Sequence, residues 1–207
     1  SDVLALAGER LNALAARECP GVLELAQAHD FDRAHAFQVA RLSLMLFDRS
    51  APLHALGRAE RRLLLVAAVL HDIGLSRGVT GHHKSSRDII LSRRPESLSP
   101  IEAQIVALVS RYHRKALPSL KHGQFARLGR HEREIVRRLA AILRIADGLD
   151  RPHSAAVADL GCDWTDAEVI ITVSSDSPLD EEIRGAERKR DLFEEVSGRA
   201  VRVVAVE

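Results

Sequence analysis

The chain has 207 residues, 46% hydrophobic and 29% charged, and a formal net charge of +1. That is length for one main domain with a sizeable core, and no run of 18 uninterrupted apolar residues or signal-type opening argues for a membrane. An aromatic content of 3% provides no stacking platform for nucleic acid, and neither of two distant cysteines, Cys19 and Cys162, has metal spacing, so a reduced, cytoplasmic setting is expected.

Apolar residues recur at helical spacing over 2–18, 32–48, 59–72, 82–93, 100–113 and 131–149. "SPIE" at 99–102 marks a helix start, with Ser99 as N-cap, Pro100 at the first position and Glu102 closing a capping box. Pro20, Pro52, Pro95, Pro118 and Pro152 all fall between these segments. After Pro152 the character changes. Strands are predicted over 157–164 and 168–175, and one amphipathic helix over 179–196. Gly198 ends that helix before the β-branched "AVRVVAV". The expected fold is therefore mainly α: a helical bundle over 1–152, then a small α+β strand-helix-strand unit over 153–207.

Charge is unevenly distributed. Residues 111–151 hold eleven Lys/Arg against four Asp/Glu, and residues 159–207 hold six against thirteen. The basic segment suggests an anion-facing surface, the alternative being two solvated faces that attract each other. On the first reading the acidic C-terminal unit should pack away from any anion site, at a dimer contact.

Several ionisable groups interrupt apolar stripes. His35 shares a face with Val39, Leu42 and Leu46; His71 follows Leu64 and Ala67; Asp72 follows Leu65 and Val69. His113 continues the stripe of Val106 and Val109, and Asp147 that of Val136, Leu139 and Leu143. A single such histidine is most simply a hydrogen-bonded core residue. Four helices each turning an imidazole or carboxylate inward call for mutual pairing or a shared metal, because an uncompensated buried carboxylate costs several kcal/mol. Nitrogen and oxygen donors without thiolate suit Mn, Fe, Co, Ni, Zn or Mg.

The order His35, His71-Asp72, Asp147 resembles that of the HD-domain metal-dependent phosphohydrolase superfamily, which implies a divalent metal held by these four residues. "HAFQVARLSLMLFD" (35–48), "AAVLHDIG" (67–74), "GHHKSS" (81–86), "IVALVSRYHRKALP" (105–118), "LAAILRIADGLDRPHS" (139–154) and "AERKRDLFEEVSGRAV" (186–201) resemble more closely the C-terminal region of bacterial exopolyphosphatase/guanosine pentaphosphatase (Ppx/GppA) proteins. Those proteins carry their polyphosphatase site on N-terminal actin-like domains, which nothing here matches. The resemblance thus implies a separate actin-like phosphatase domain as a partner, and a homodimer. It also implies a second metal, with His113 and one of His82 and His83 as ligands (His83 preferred) and Asp72 bridging.

Around these positions Arg111, Arg114, Lys115 and Arg144 are candidate phosphate binders, and Lys84 and His113 join Asp72 as candidate catalytic groups. The expected activity is an HD-type phosphohydrolase with one or two divalent ions, acting on a phosphorylated small molecule, nucleotide or polyphosphate. The alternative is a non-catalytic regulatory or dimerisation module that binds polyphosphate or a guanosine alarmone.

Overall fold

A computed structural model describes residues 2–206, with side chains from Gly8 onward. The helices in chain order are α1 (Asp2–Glu18), α2 (Val22–Gln27), α3 (Arg33–Arg49), α4 (Ala51–His54), α5 (Arg58–Leu70), a 3-10 helix (Ile73–Arg77), α6 (His82–Ser92), α7 (Pro100–Arg111), α8 (Gly123–Ala126) and α9 (Arg130–Gly148). Strands β1 (Asp159–Trp164) and β2 (Glu168–Ser174) follow, then α10 (Asp180–Glu187), α11 (Asp191–Ser197) and β3 (Ala200–Ala205). This is the mainly α bundle with a small α+β unit expected from periodicity. Among the described residues no single helix is long and apolar enough to cross a membrane.

Local chemistry explains the helix starts. Ser99 and Glu102 form the capping box of α7, with Pro100 in its first turn. Asp32 caps α3 by accepting from the His35 N–H at 3.1 Å. The longest helix, α9, buries Val136, Leu139 and Leu143 completely and packs on α3 and α7, while α5 packs on α3 and α7 as well. Helices α2, α4 and α8, of four to six residues, are too short for a 3.6-residue period to reveal.

In the sheet, of order β1-β2-β3, β1 runs antiparallel and β3 parallel to β2. Alternate residues Val169, Ile171 and Val173 are buried, so one face joins the core. That core continues from the bundle through Leu149 and Val157 to Leu160 and Val203.

Two differences from the expected elements shape the site. Helix α5 ends at Leu70 rather than at 72, which leaves His71 as its C-cap and Asp72 leading the 3-10 helix. The helix expected over 179–196 is broken between α10 and α11. Tertiary contacts win over periodicity there: Arg144 Nε–H points at the Lys189 carbonyl at 3.4 Å, and its guanidinium grips the Asp191 carboxylate.

Candidate metal centre

Five elements deliver the polar groups to one place. His35 lies in the first turn of α3 and Asp147 in the last of α9, His71 and Asp72 at the end of α5, His82 at the start of α6 and His113 just past α7. Gly74 sets the distance between α5 and α6: a Cβ there would run into the His82 carbonyl and the Ser86 amide. Its N–H donates to Ser86 Oγ at 2.9 Å. Only glycine lets His82 come this close to Asp72.

Two groups of three result. His35, His71 and Asp147 form one, and Asp72, His82 and His113 the other; within each, one donor atom per residue lies within 4.8 Å of the rest. Asp72 joins them. Its Oδ2 is 3.9 Å from His35 Nε2 and 3.6 Å from His71 Nε2, while its Oδ1 is 3.1 Å from His82 Nε2 and 3.4 Å from His113 Nε2. Asp147 Oδ1 stands 3.5 Å from His35 Nε2 and 3.7 Å from His71 Nε2. Donors that share one ion at bonds of ~2.1 Å stand roughly 3.0–3.4 Å apart, so the spacing suits a divalent ion.

The imidazoles are oriented from behind. His71 Nδ1 bonds the Ala68 carbonyl at 2.7 Å, His82 Nδ1 that of Val79 at 3.0 Å and His113 Nδ1 that of Ser110 at 2.6 Å. A carbonyl only accepts, so each Nδ1 carries a hydrogen and each Nε2 turns to the carboxylates. His35 Nδ1 is held by Asp150 Oδ2 at 2.8 Å. This is the outer arrangement that fixes histidine ligands in metal sites. His35 Nε2, His71 Nε2 and Asp72 Oδ1 are buried without a hydrogen-bond partner. Such orphans are rare in folded proteins; a divalent ion at the first group would satisfy the two nitrogens, and one at the second group Asp72 Oδ1. The residues therefore fit the group.

Electrostatics agrees. Burial pushes the Asp72 carboxyl up, but the imidazoles of His71, His82 and His113 around it outweigh burial and hold Asp72 well below the usual range. Burial likewise opposes ionisation of Asp147, and Lys189, His35 and His71 overcome it. Burial lowers His35, yet Asp147 and Asp150 raise it to about 10. His113, lowered by burial to about 3, stays neutral.

In front lies a cleft of about 540 Å³ lined by Asp72, His82, His113 and Asp147, and by the basic residues Arg114, Lys115, Arg151 and Arg188 with Lys189. The preference for His83 over His82 reverses. His82 heads the α6 turn against Gly74, whereas His83, one position on and about 100° round the helix, is buried away from both groups and lowered to about 4, chiefly by burial. Lys84 is exposed and does not line the cleft. Arg111 also stays outside, its guanidinium 5.4 Å from the centre of the Tyr112 ring. Arg144 reaches the cleft wall but is neutralised by Asp191 at 2.8 Å. The acidic C-terminal unit does not pack elsewhere. Its α10 and α11 lie on α9, and the turn between them places Arg188, Lys189 and Asp191 at the cleft.

Sequence reasoning missed three participants. Asp150 is fully buried behind His35. His153 stacks on the His35 ring at 3.7 Å, bonded to Asp32 Oδ2 at 2.8 Å. Lys189 pairs with Asp147 Oδ2. The "DGLDRPH" run held the signal for the first two, since Asp150 follows Asp147 by three residues and so shares its side of the chain.

The fold and the centre together define a helical-bundle protein with a buried histidine–aspartate cluster able to hold a metal. The sequence matches the family described as Ppx/GppA phosphatase, domain III, over residues 18–188, and the chain belongs to that family. None of the curated proteins matches it.

Proposed function

We propose that this chain is a metal-dependent phosphohydrolase with an HD-type centre. His35, His71, Asp72 and Asp147 would hold a first divalent ion, and His82 and His113 with Asp72 a second. The observation that carries this reading is the set of four imidazoles, each fixed through Nδ1 with Nε2 turned toward Asp72 or Asp147, two of them (His35 and His71) with no partner at Nε2. Bound there, a divalent ion supplies Lewis-acid polarisation of a phosphoryl oxygen and charge neutralisation. The protein's own share is to dry the inner wall, keep Asp72 and Asp147 ionised, and present Arg114 and Lys115 to phosphate oxygens. A polyphosphate or a phosphorylated nucleotide suits a cleft with this excess of cations and the family's phosphatase name. A cytoplasmic setting accords with the two free cysteines. The division into 1–152 and 153–207 is, on this reading, architectural, because both parts line the cleft.

Metal analysis of protein purified without chelator, followed by phosphate release from polyphosphate and nucleotides with added Mn²⁺, tests the proposal. One or two ions per chain and Mn²⁺-dependent release are expected. Stoichiometric metal without release from any of these would favour the non-catalytic anion-binding module instead. Protein that takes up no metal would end both readings.

A further inference from the structure

We propose that the turn between α10 and α11 is the anion-recognising arm of this centre, and that Lys189 is the residue that touches the ligand's phosphate. The inference rests on the phosphohydrolase reading above and concerns a residue just beyond the segment matched to the family, which ends at 188.

Separate features of the fold bring this turn to the metal ligands. The backbones of α9 and α10 meet without side chains between them: a Cβ on Gly148 would stand 2.6 Å from Ala186 Cα, and one on Gly185 would strike the Gly148 carbonyl. Arg144, buried to 3% exposure, donates to both Asp191 oxygens at 2.8 and 3.1 Å. Its Nη1 donates to the Tyr112 carbonyl at 3.1 Å, immediately before His113. Arg144 thus ties the 189–191 turn to a ligand-bearing segment, and its own charge is already matched. The side chain presented to the centre is that of Lys189.

The Lys189 ammonium meets Asp147 at Oδ2, leaving Oδ1 to face His35 and His71. An ammonium has three N–H donors. One is directed at Asp147, and the side chain lines the open cleft, so the others are available to an anion lying against the ligand carboxylate. Arg188 and Arg151, both exposed, also line the cleft, with no ion pair among the described residues. An inner cation at the metal ligands with outer cations beyond it matches a phosphate anchored inside and a further anionic group outside, that is, a phosphoanhydride or a doubly phosphorylated molecule rather than a lone phosphate.

Calorimetric titration of the Mn²⁺-loaded full chain with inorganic phosphate and with pyrophosphate tests this. Lys189→Met should weaken both ligands by about tenfold or more, as loss of a charge-assisted contact does. Its Mn²⁺ stoichiometry and the melting temperature of its loaded form should match wild type. Lys189→Arg should restore most of the phosphate affinity. Arg188→Ala should weaken pyrophosphate and spare phosphate. Unchanged phosphate affinity in Lys189→Met overturns the proposal, and so does loss of Mn²⁺ together with phosphate, which would make Lys189 a brace for Asp147 only. Wild-type protein that takes up no Mn²⁺ marks failure of the metal reading instead. Pyrophosphate titration of the metal-free chain then decides the arm by itself, since Lys189→Met must still weaken it.

Discussion

His54 and His71 each stand at the end of a helix and are buried, yet their surroundings differ in one respect. At His54 both ring nitrogens are engaged: Nε2–H donates to the Phe47 carbonyl at 2.8 Å, and the Leu56 N–H donates to Nδ1 at 3.0 Å. The ring packs on Phe47 at 4.2 Å, and burial lowers its pKa. At His71 Nδ1 is engaged by Ala68, while Nε2 has no hydrogen-bond partner and faces Asp72 and Asp147 at 3.6 and 3.7 Å. Leaving a buried polar atom unmade costs ~1–3 kcal/mol. A fold that does this repeatedly in one place, and not at His54, is what the proposed metal centre requires.

The sharpest way to break that comparison is at Asp72, which alone faces both histidine groups. Asp72→Ala should leave less than about a tenth of the wild-type metal and no measurable metal-dependent activity, as expected when a bridging ligand is removed. His113→Ala should lose the second ion and keep the first, and His54→Ala should lose stability and no metal. Metal analysis of the three variants decides. Metal lost from His54→Ala and kept in Asp72→Ala would show that an open Nε2 does not mark a ligand.

Asp150 probes the layer behind. Its Oδ2 orients His35 and its Oδ1 accepts from the Ala155 N–H at 2.7 Å. Asp150→Asn keeps the shape and removes the charge, and should weaken metal binding by ~10–100-fold. Titration with a competing chelator measures this; wild-type affinity in the variant would make Asp150 a loop anchor only.

The pH dependence separates metal-free from loaded protein. Burial lowers His35, but Asp147 and Asp150 raise it from 6.5 to about 10 in the metal-free chain. A raised folded pKa contributes stability that is fully present below the unfolded value of 6.5 and is lost as pH climbs toward about 10. With an ion on the proposed ligands, His35 would give Nε2 to the ion and this contribution would be absent. The rise in melting temperature caused by Mn²⁺ should therefore grow as pH increases from ~6.5, where His35 begins to hold a proton only when folded. A metal-induced rise that is flat or shrinks over that range would contradict the assignment of His35.

How much of this was legible in the sequence depends on the range of the interaction. His35, His71, Asp72, His113 and Asp147 stood out because each breaks a helical apolar stripe, a pattern contained within a dozen residues. The choice between His82 and His83 was not legible. It depends on where α6 begins, and Gly74, eight residues upstream, decides that by admitting the His82 carbonyl. Lys189 was hidden for a related reason. The 179–196 stretch has unbroken helical amphipathicity, and only Arg144, some 45 residues away in sequence, opens the turn that exposes it.

The Gly148–Gly185 contact makes that long-range control measurable. A methyl group on Gly148 has nowhere to go between two backbones, so Gly148→Ala should destabilise by ~1–3 kcal/mol, the usual cost of overpacking. The strain falls where α10 meets α9, so a variant that remains folded should show weaker phosphate binding with its metal retained. Denaturant unfolding and titration check the two parts. Wild-type stability would mean that α10 is free to shift and that its register on α9 is loose.

The smallest effect is expected at two residues that the sequence marked and the structure sets aside. Lys84 directly follows His83, and Arg111 precedes His113 by two residues, so the first looked like a catalytic group and the second like a phosphate binder. Lys84 is exposed outside the cleft, and Arg111 lies over Tyr112. An exposed lysine without a partner carries little energy, and a guanidinium on an aromatic face is worth about 0.5–1 kcal/mol at an exposed site. Lys84→Ala should therefore leave stability within ~0.5 kcal/mol of wild type, and Arg111→Ala within ~1 kcal/mol. Both should keep metal content and phosphate affinity, in contrast to Arg114→Ala, which removes a guanidinium 3.3 Å from His82 Nε2 inside the cleft. If Lys84→Ala or Arg111→Ala instead lowers phosphate affinity as much as Arg114→Ala does, the anion approaches from the α6–α7 side and not along the arm carrying Lys189.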